Sequence, residues 1–270
     1  MKKITAKIFY LFLPLLLSSC FQEVIDIDLS EIPRQLVIEG KITNEYARHT
    51  VRIHRASAND DPYEFQKITD AEVSITDNEG TEFFLEETES GIYKTQPFYG
   101  IPGRHYRLHV KYGGLEFEAK SYMPQPIELD SIKLDQVNNY NTYKLKCYFQ
   151  DVPSVEEKAL FKSISMNNNT VREELLYNGS YRDGNYIELD DFKWQYSRGN
   201  QVLVEVYSLN ETSYNIYNQI QQRKDLSPDG TDLDIGNLFE LTSFNISNIN
   251  NHAIGLFSAE SVTKKTFTIN

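Results

Sequence analysis

Apolar and polar residues alternate through most of the chain beyond residue 35. Leu36-Val37-Ile38 leads into Gly40-Lys41-Ile42-Thr43, Val51 and Ile53 alternate with Arg52 and His54, and Ala71-Glu72-Val73-Ser74-Ile75-Thr76-Asp77 repeats the pattern. A period of two sends successive side chains to opposite faces, so each run predicts a half-buried β-strand. Asn78-Glu79-Gly80 and Gly113-Gly114 are turn signals, and Phe83-Phe84-Leu85, Gly91-Ile92-Tyr93, Gly103 to Val110 and Leu115 to Ala119 add further strands. Short strands at this spacing over residues 36–123 predict a β-sandwich.

Pro124, Pro126 and Asp130-Ser131-Ile132 mark residues 125–135 as an extended connector. Beyond it the pattern stays mostly β, with strands expected at 142–150, 158–166, 185–196, 200–208, 253–259 and 262–269. One helix stands out. Asn210 can cap a segment from Glu211 to Lys224 in which Tyr214, Tyr217 and Ile220 recur at helical spacing, with Arg223 and Lys224 suited to its C-terminal end. The segment from Leu226 to Asn251 is loop-like and rich in Asn. The expected fold is mainly β: an N-terminal Ig/transthyretin-like β-sandwich (36–123), then a β-rich second domain (124–270) with one helix near 211–224. The transthyretin-like part is a resemblance, carried by Gly40 to Thr43, Ala71 to Gly80, Gly91 to Tyr93 and Gly103 to Val110.

The first twenty residues differ from the rest. Lys2 and Lys3 precede an apolar run from Ile8 to Leu17, followed by Ser18, Ser19 and Cys20. That run is too short for a comfortable membrane span and has the length and flanks of a secretory signal. Leu17-Ser18-Ser19-Cys20 resembles the bacterial lipobox, which implies a signal peptide over 1–19, acylation of Cys20, attachment to a lipid bilayer and a tether over 20–35. The alternatives are a plain secretory signal or an N-terminal anchor, with a chance cysteine.

Charge and cysteine count narrow the chemistry. The formal net charge is −12, and removing Lys2, Lys3 and Lys7 makes it three units more negative. With no basic stripe, the chain lacks the electrostatic footprint of nucleic-acid binding. Once Cys20 carries lipid, Cys147 has no partner for a disulfide and no companions for a thiolate zinc site. It alternates with Leu145 and Phe149 on one strand face, which predicts a buried, inert thiol.

Five histidines invite a metal hypothesis. His105 and His109 share a strand face with Arg107, and Arg52 shares one with His54, but the arginines disfavour a cation and Tyr106, Leu108 and Val110 mark the His-Arg face as solvated. Asp229-Gly230-Thr231-Asp232-Leu233-Asp234 is rich in carboxylates without the ligand spacing of a calcium loop. No catalytic, phosphate-binding or cofactor motif is present. Glu86-Glu87, Glu156-Glu157 and Asp190-Asp191 are adjacent in sequence, which does not by itself bracket a scissile bond. Aromatic residues favour binding instead. Tyr177, Tyr181, Tyr186, Trp194 and Tyr196 cluster in one stretch and form the expected contact surface, against the plainer reading that they fill a β-rich core.

Cys20 followed by Val24-Ile25-Asp26-Ile27-Asp28-Leu29, Leu36 to Gly40, Tyr122-Met123-Pro124, Leu129-Asp130-Ser131-Ile132, Tyr148-Phe149-Gln150-Asp151, Asn248 to Asn251 and Ala253 to Ala259 together resemble one lipoprotein family of the Bacteroidota, the domain-of-unknown-function 4249 family. The resemblance implies a non-catalytic accessory lipoprotein of the outer membrane, facing the cell surface. Its implied partner is a TonB-dependent barrel of the SusC-like kind, and its implied ligand a glycan, a peptide or a chelated metal; the family supplies no catalytic residue and no cofactor. Asp130-Ser131-Ile132 also resembles the short O-glycosylation signal of that phylum, at Ser131. An adhesin or envelope-structural role and a surface hydrolase are the alternative functions.

Overall fold

The strand pattern predicted from alternation is carried out by packing. The computed structural model describes residues 36–55, 66–137, 141–180, 182, 184–226 and 247–270, with side chains described to Gln222 within 184–226. The first half contains β1 (Leu36–Thr43), β2 (Thr50–Arg55), β3 (Gln66–Lys67), β4 (Glu72–Asp77), β5 (Glu82–Glu89), β6 (Ile92–Lys94), β7 (His105–Tyr112) and β8 (Leu115–Tyr122). On β7 the alternation is visible residue by residue. Tyr106, Leu108 and Val110 are buried while His105 and Arg107 face water, so the strand has one core face and one solvated face.

The second half contains β9 (Ser131–Gln136), β10 (Thr142–Gln150), β11 (Lys158–Ser165), β12 (Thr170–Asn178), β13 (Tyr186–Leu189), β14 (Tyr196–Ser197), β15 (Gln201–Ser208), the helix α1 (Glu211–Leu226) and β16 (Ile254–Thr268). The fold is mainly β, as expected, with one helix among the described residues. Asn210 caps α1 by accepting from the Ser213 N–H at 3.0 Å, and its amide nitrogen donates to Ser121 Oγ at 2.8 Å, tying the helix start to β8.

One large sheet runs β12-β11-β15-β16-β1-β2-β6-β5-β4-β7-β8, and a smaller one runs β13-β10-β14 with β9 also on β10. The expected runs at 253–259 and 262–269 are in fact one strand, β16. Its first part pairs parallel with β1, from Val37 opposite Ile254 to Thr43 opposite Glu260. Its second part pairs antiparallel with β15, from Ser208 opposite Ser261 to Gln201 opposite Thr268. Residues Arg34–Asn270 form one compact unit, and β16 is common to both halves. The expected strand at 185–196 is two short ones, β13 and β14, and β12 was missed.

Three cores follow from this topology. Ile38, Ile53, Leu108 and Val110 pack with Phe257 and Ala259 of β16 inside the first half. Leu145, Cys147, Phe149, Phe161, Val204 and Ile269 pack between the two sheets of the second half. Leu160, Leu256, Ile216, Tyr217 and Ile220 pack beneath α1. The Asn-rich segment has a definite task at the edge strand β8. Asn250 N donates to Glu118 O at 3.0 Å and Asn250 Oδ1 accepts from Glu118 N at 2.7 Å, while Asn251 Nδ2 donates to Glu116 O. Asn248 reaches the other way, accepting from Phe257 N at 2.9 Å and donating to Phe257 O at 2.7 Å. These side chains occupy backbone groups that an edge strand would leave open to another chain.

Cys147 lies in the second core, and burial pushes its thiol up to about 12 despite the opposing charge of Lys265. In folded protein, alkylation by iodoacetamide at neutral pH will leave Cys147 unmodified over hours, and urea will restore the reactivity of an ordinary thiol. Mass spectrometry of the peptide around residue 147 reads the result.

Candidate functional site

The expected aromatic surface over 177–196 divides when folded. Tyr177 is in the second core, with its ring 5.2 Å from that of Phe149 and its hydroxyl donating to Asp151 Oδ1 at 3.3 Å. Tyr196 is buried in the same core. Both face inward because the alternation of β12 and β14 directs them between the sheets, so neither can contact a ligand. Tyr181 lies outside the described residues. Tyr186 and Trp194 are 57% and 44% exposed. They have different neighbours: Tyr186 opens β13 opposite Gln150, whereas Trp194 lies just before β14. Trp194 stacks on the Arg172 guanidinium at 5.2 Å, and Tyr186 faces Tyr148 at 6.2 Å. Ser131 is half-buried on β9 opposite Tyr148, and Cys20 lies outside the described residues.

A different pair of rings forms an exposed apolar face. Tyr46 and Tyr99 are 62% and 63% exposed, their centroids are 4.9 Å apart, and Ile101 beside them is 43% exposed. The loops carrying them are tightly held. Ala47 and Phe98 exchange backbone hydrogen bonds at 3.4 and 3.2 Å, Gly100 N donates to Thr43 O at 2.9 Å, and Ile101 N donates to the Tyr106 hydroxyl at 2.7 Å. Phe98 stacks on Phe83 at 3.8 Å, anchoring the second loop from beneath. Gly100 is required by close approach, since a Cβ there would stand 2.5 Å from both Thr43 O and Met123 Cε. The charges nearby are paired: Glu45 with Lys264 at 2.8 Å, and Arg48 with Glu86 at 3.6 Å. The result is a rigid and locally neutral aromatic face on an acidic chain. Sequence reading missed it because single tyrosines in loops belong to no periodic run.

The densest polar cluster lies between α1 and the large sheet. Glu260 is fully buried; its Oε1 accepts from the Tyr217 hydroxyl at 2.6 Å, and its Oε2 lies 3.0 Å from Lys41 Nζ. The Lys41 ammonium also sits over the Tyr207 and Tyr217 rings, at 5.1 and 5.5 Å. Burial opposes the Lys41 charge, but Glu260 and Tyr217 outweigh it and hold the ammonium above the usual lysine range. Burial, then the Glu260 carboxylate, raise the Tyr217 hydroxyl in the same way. This cluster latches α1 to the sheet.

Asp151 and Glu157 are two carboxyls close enough to interact. Asp151 is fully buried, with Oδ1 taken by Tyr177 and Oδ2 accepting from Gly184 N at 2.9 Å. Burial raises the Glu157 carboxyl to about 7, the nearby Asp151 adding to it and the Val152 N–H pulling against it. With both its oxygens engaged internally, Asp151 holds Tyr177 and Gly184 in place. The Asp229–Asp234 stretch lies outside the described residues. Among the described residues no group of three His, Cys, Asp or Glu side chains is placed to hold a metal ion. His105 and Arg107 face solvent, whereas His54 is buried, and burial together with Arg52 lowers it to about 4.

No curated protein matches this chain. Among solved structures, a pullulanase from Anoxybacillus sp. LM18-11 in complex with maltotriose overlaps 64% of this chain and 24% of its own at 15% identity and a TM-score of 0.22. The adhesin InvE of Yersinia pseudotuberculosis overlaps 64% and 55%, also at 15% identity and 0.22. This chain thus spans less than two thirds of either protein, and overlap at that score bears on neither fold nor function. The family model described as "Domain of unknown function (DUF4249)" matches residues 22–266, nearly all of the chain. The chain therefore belongs to the DUF4249 family.

Proposed function

We propose that this protein is a lipid-anchored accessory of the outer membrane that docks on a TonB-dependent nutrient transporter, for substrate capture or as a lid, and catalyses no reaction. The observation that carries the docking part is the Tyr46–Tyr99–Ile101 face, because exposed aromatics on fixed loops bind a partner without ordering cost. The leader ending at Cys20 supports the anchor. Among the described residues no helix is long and apolar enough to cross a membrane. β1 carries the chain from Leu36 toward the face, so its far end at Thr43, three residues before Tyr46, lies about 25 Å along the strand from the end where the tether joins. That separation suits contact with loops standing above a bilayer.

The test is affinity purification of the tagged lipoprotein from detergent-solubilised outer membranes. The wild type should bring down one TonB-dependent barrel in stoichiometric amount, and the Tyr46→Ala/Tyr99→Ala double variant should reduce recovery roughly thirtyfold or more, as loss of two hot-spot rings does. Unchanged circular dichroism shows that the variant is folded. Recovery of the protein alone, or of the barrel equally by both forms, would refute the proposal.

A further inference from the structure

We propose that His49 is an acid-sensitive latch that fixes the Tyr46–Tyr99 face, so that the face is assembled only while the imidazole is neutral. That a partner feels the latch rests on the docking reading above; the latch itself does not. His49 is buried immediately before β2, between the two loops that carry the tyrosines. Its backbone N–H donates to Thr95 Oγ1 at 3.0 Å, and its carbonyl accepts from Thr95 N at 3.0 Å. The ring spans from one loop to the other. Nδ1 accepts from Thr43 N at 3.4 Å, and Nε2 lies 3.1 Å from Phe98 O.

These partners fix the tautomer. An amide N–H can only donate and a carbonyl can only accept, so Nδ1 must be bare and Nε2 must carry the hydrogen. A second proton could go only to Nδ1, where it would face the Thr43 N–H, two donors opposed in a site with little water to separate them. The Thr43 contact would break, and Thr43 is also where Gly100 N is bound, so the loop bearing Tyr99 loses part of its footing. Phe98 packs edge-on against the imidazole at 4.5 Å and would move with it.

The surrounding charges do little to welcome an imidazolium. Glu45 is committed to Lys264, Arg48 is bound to Thr95 O at 2.8 Å and close to Glu86, and no other charged group is recorded near the ring among the described residues. Burial accordingly holds the imidazole below the ordinary histidine range, with the Phe98 carbonyl and Glu45 opposing the shift. A base with a lowered folded pKa contributes stability that is intact above its unfolded value and lost as pH falls toward the folded one. The latch therefore opens on the acid side.

The full-length lipoprotein in detergent provides the test. Hydrogen–deuterium exchange of the segments 43–49 and 95–101 is compared between about pH 7.5 and about pH 5 after correction for intrinsic exchange, in wild type and in His49→Gln. The expectation is exchange about tenfold faster at the acid end in the wild type and no such change in the variant. Should the variant fold poorly, NMR of the wild type decides instead: the Thr43 and Gly100 amide signals must shift with the same midpoint as the His49 ring. Segments that follow intrinsic chemistry throughout, equal loosening in His49→Gln, or amide signals indifferent to the ring titration would each overturn the latch. Barrel recovery at both pH values separates the two ideas. Acid loosening with recovery indifferent to Tyr46→Ala/Tyr99→Ala keeps the latch and defeats docking through this face, while recovery that needs both tyrosines together with segments that do not loosen defeats the latch alone.

Discussion

Lys41→Met will destabilise the protein more than Glu260→Gln, although the two side chains form one ion pair. Lys41 keeps 38% of its side chain in contact with solvent, so when Glu260 is made neutral the ammonium can turn toward water and the amide can still accept from Tyr217. The expected loss is about 1 kcal/mol. Removing the lysine leaves a carboxylate with no exposure at all and one hydroxyl for support. An uncompensated buried charge costs about 3–5 kcal/mol, a large share of the stability of a single domain. Urea unfolding of the two variants, with Lys41→Met/Glu260→Met as the apolar control, measures the difference. The double variant should recover most of what Lys41→Met loses, because two well-packed apolar groups replace a paired charge at little net cost. Equal losses from the two single variants would show that the carboxylate, too, is relieved by water.

Gly255→Ala should be the most damaging change of a single methyl group. Gly255 has φ +126°, a conformation that L side chains rarely adopt, and an added Cβ would run into the carbonyl oxygen of Ile38, its partner in the parallel ladder. A backbone carbonyl in a ladder cannot swing aside as a side chain could, so β1 and β16 must separate locally. Backbone strain plus lost pairing should cost more than about 3 kcal/mol, or roughly 6–12 °C in melting temperature for a chain of this size. Gly80, which also has positive φ but has open space around it, is the control; its alanine variant carries only the conformational cost of about 1 kcal/mol. Differential scanning calorimetry of the two variants decides the point.

Legibility in the sequence depended on whether burial followed a simple period. β7 could be read because its inward residues are all apolar and its outward residues His and Arg. The helix could be read because Tyr217 and Ile220 face the sheet at helical spacing and Asn210 caps the start. β16 was split in two because Ser258, Glu260 and Ser261 look like a solvated break, yet all three are buried. Glu260 has Lys41 and Tyr217, and Ser261 Oγ donates to Pro124 O. β12 was missed because Arg172-Glu173-Glu174 reads as charged surface; the Glu173 carboxylate in fact accepts from the Lys193 and Trp194 N–H groups at 2.9 Å. Partners twenty or more residues away in sequence satisfy such polar groups, and a local pattern cannot show them. The aromatic stretch failed for the converse reason. Tyr177 and Tyr196 look like contact residues but alternate inward, while Tyr46 and Tyr99 sit alone in loops.

The shared strand also has a consequence in time. More than two hundred residues separate Val37 from its ladder partner Ile254, and that partner supplies Phe257 and Ala259 to the first core. A chain that emerges from synthesis or export with its N-terminus leading therefore cannot finish its first half until its last strand is out. Pairing across so long a loop is slow. Residues 36–123 would stay pliable until that strand arrives, and loss of β16 would be felt in both halves of the fold.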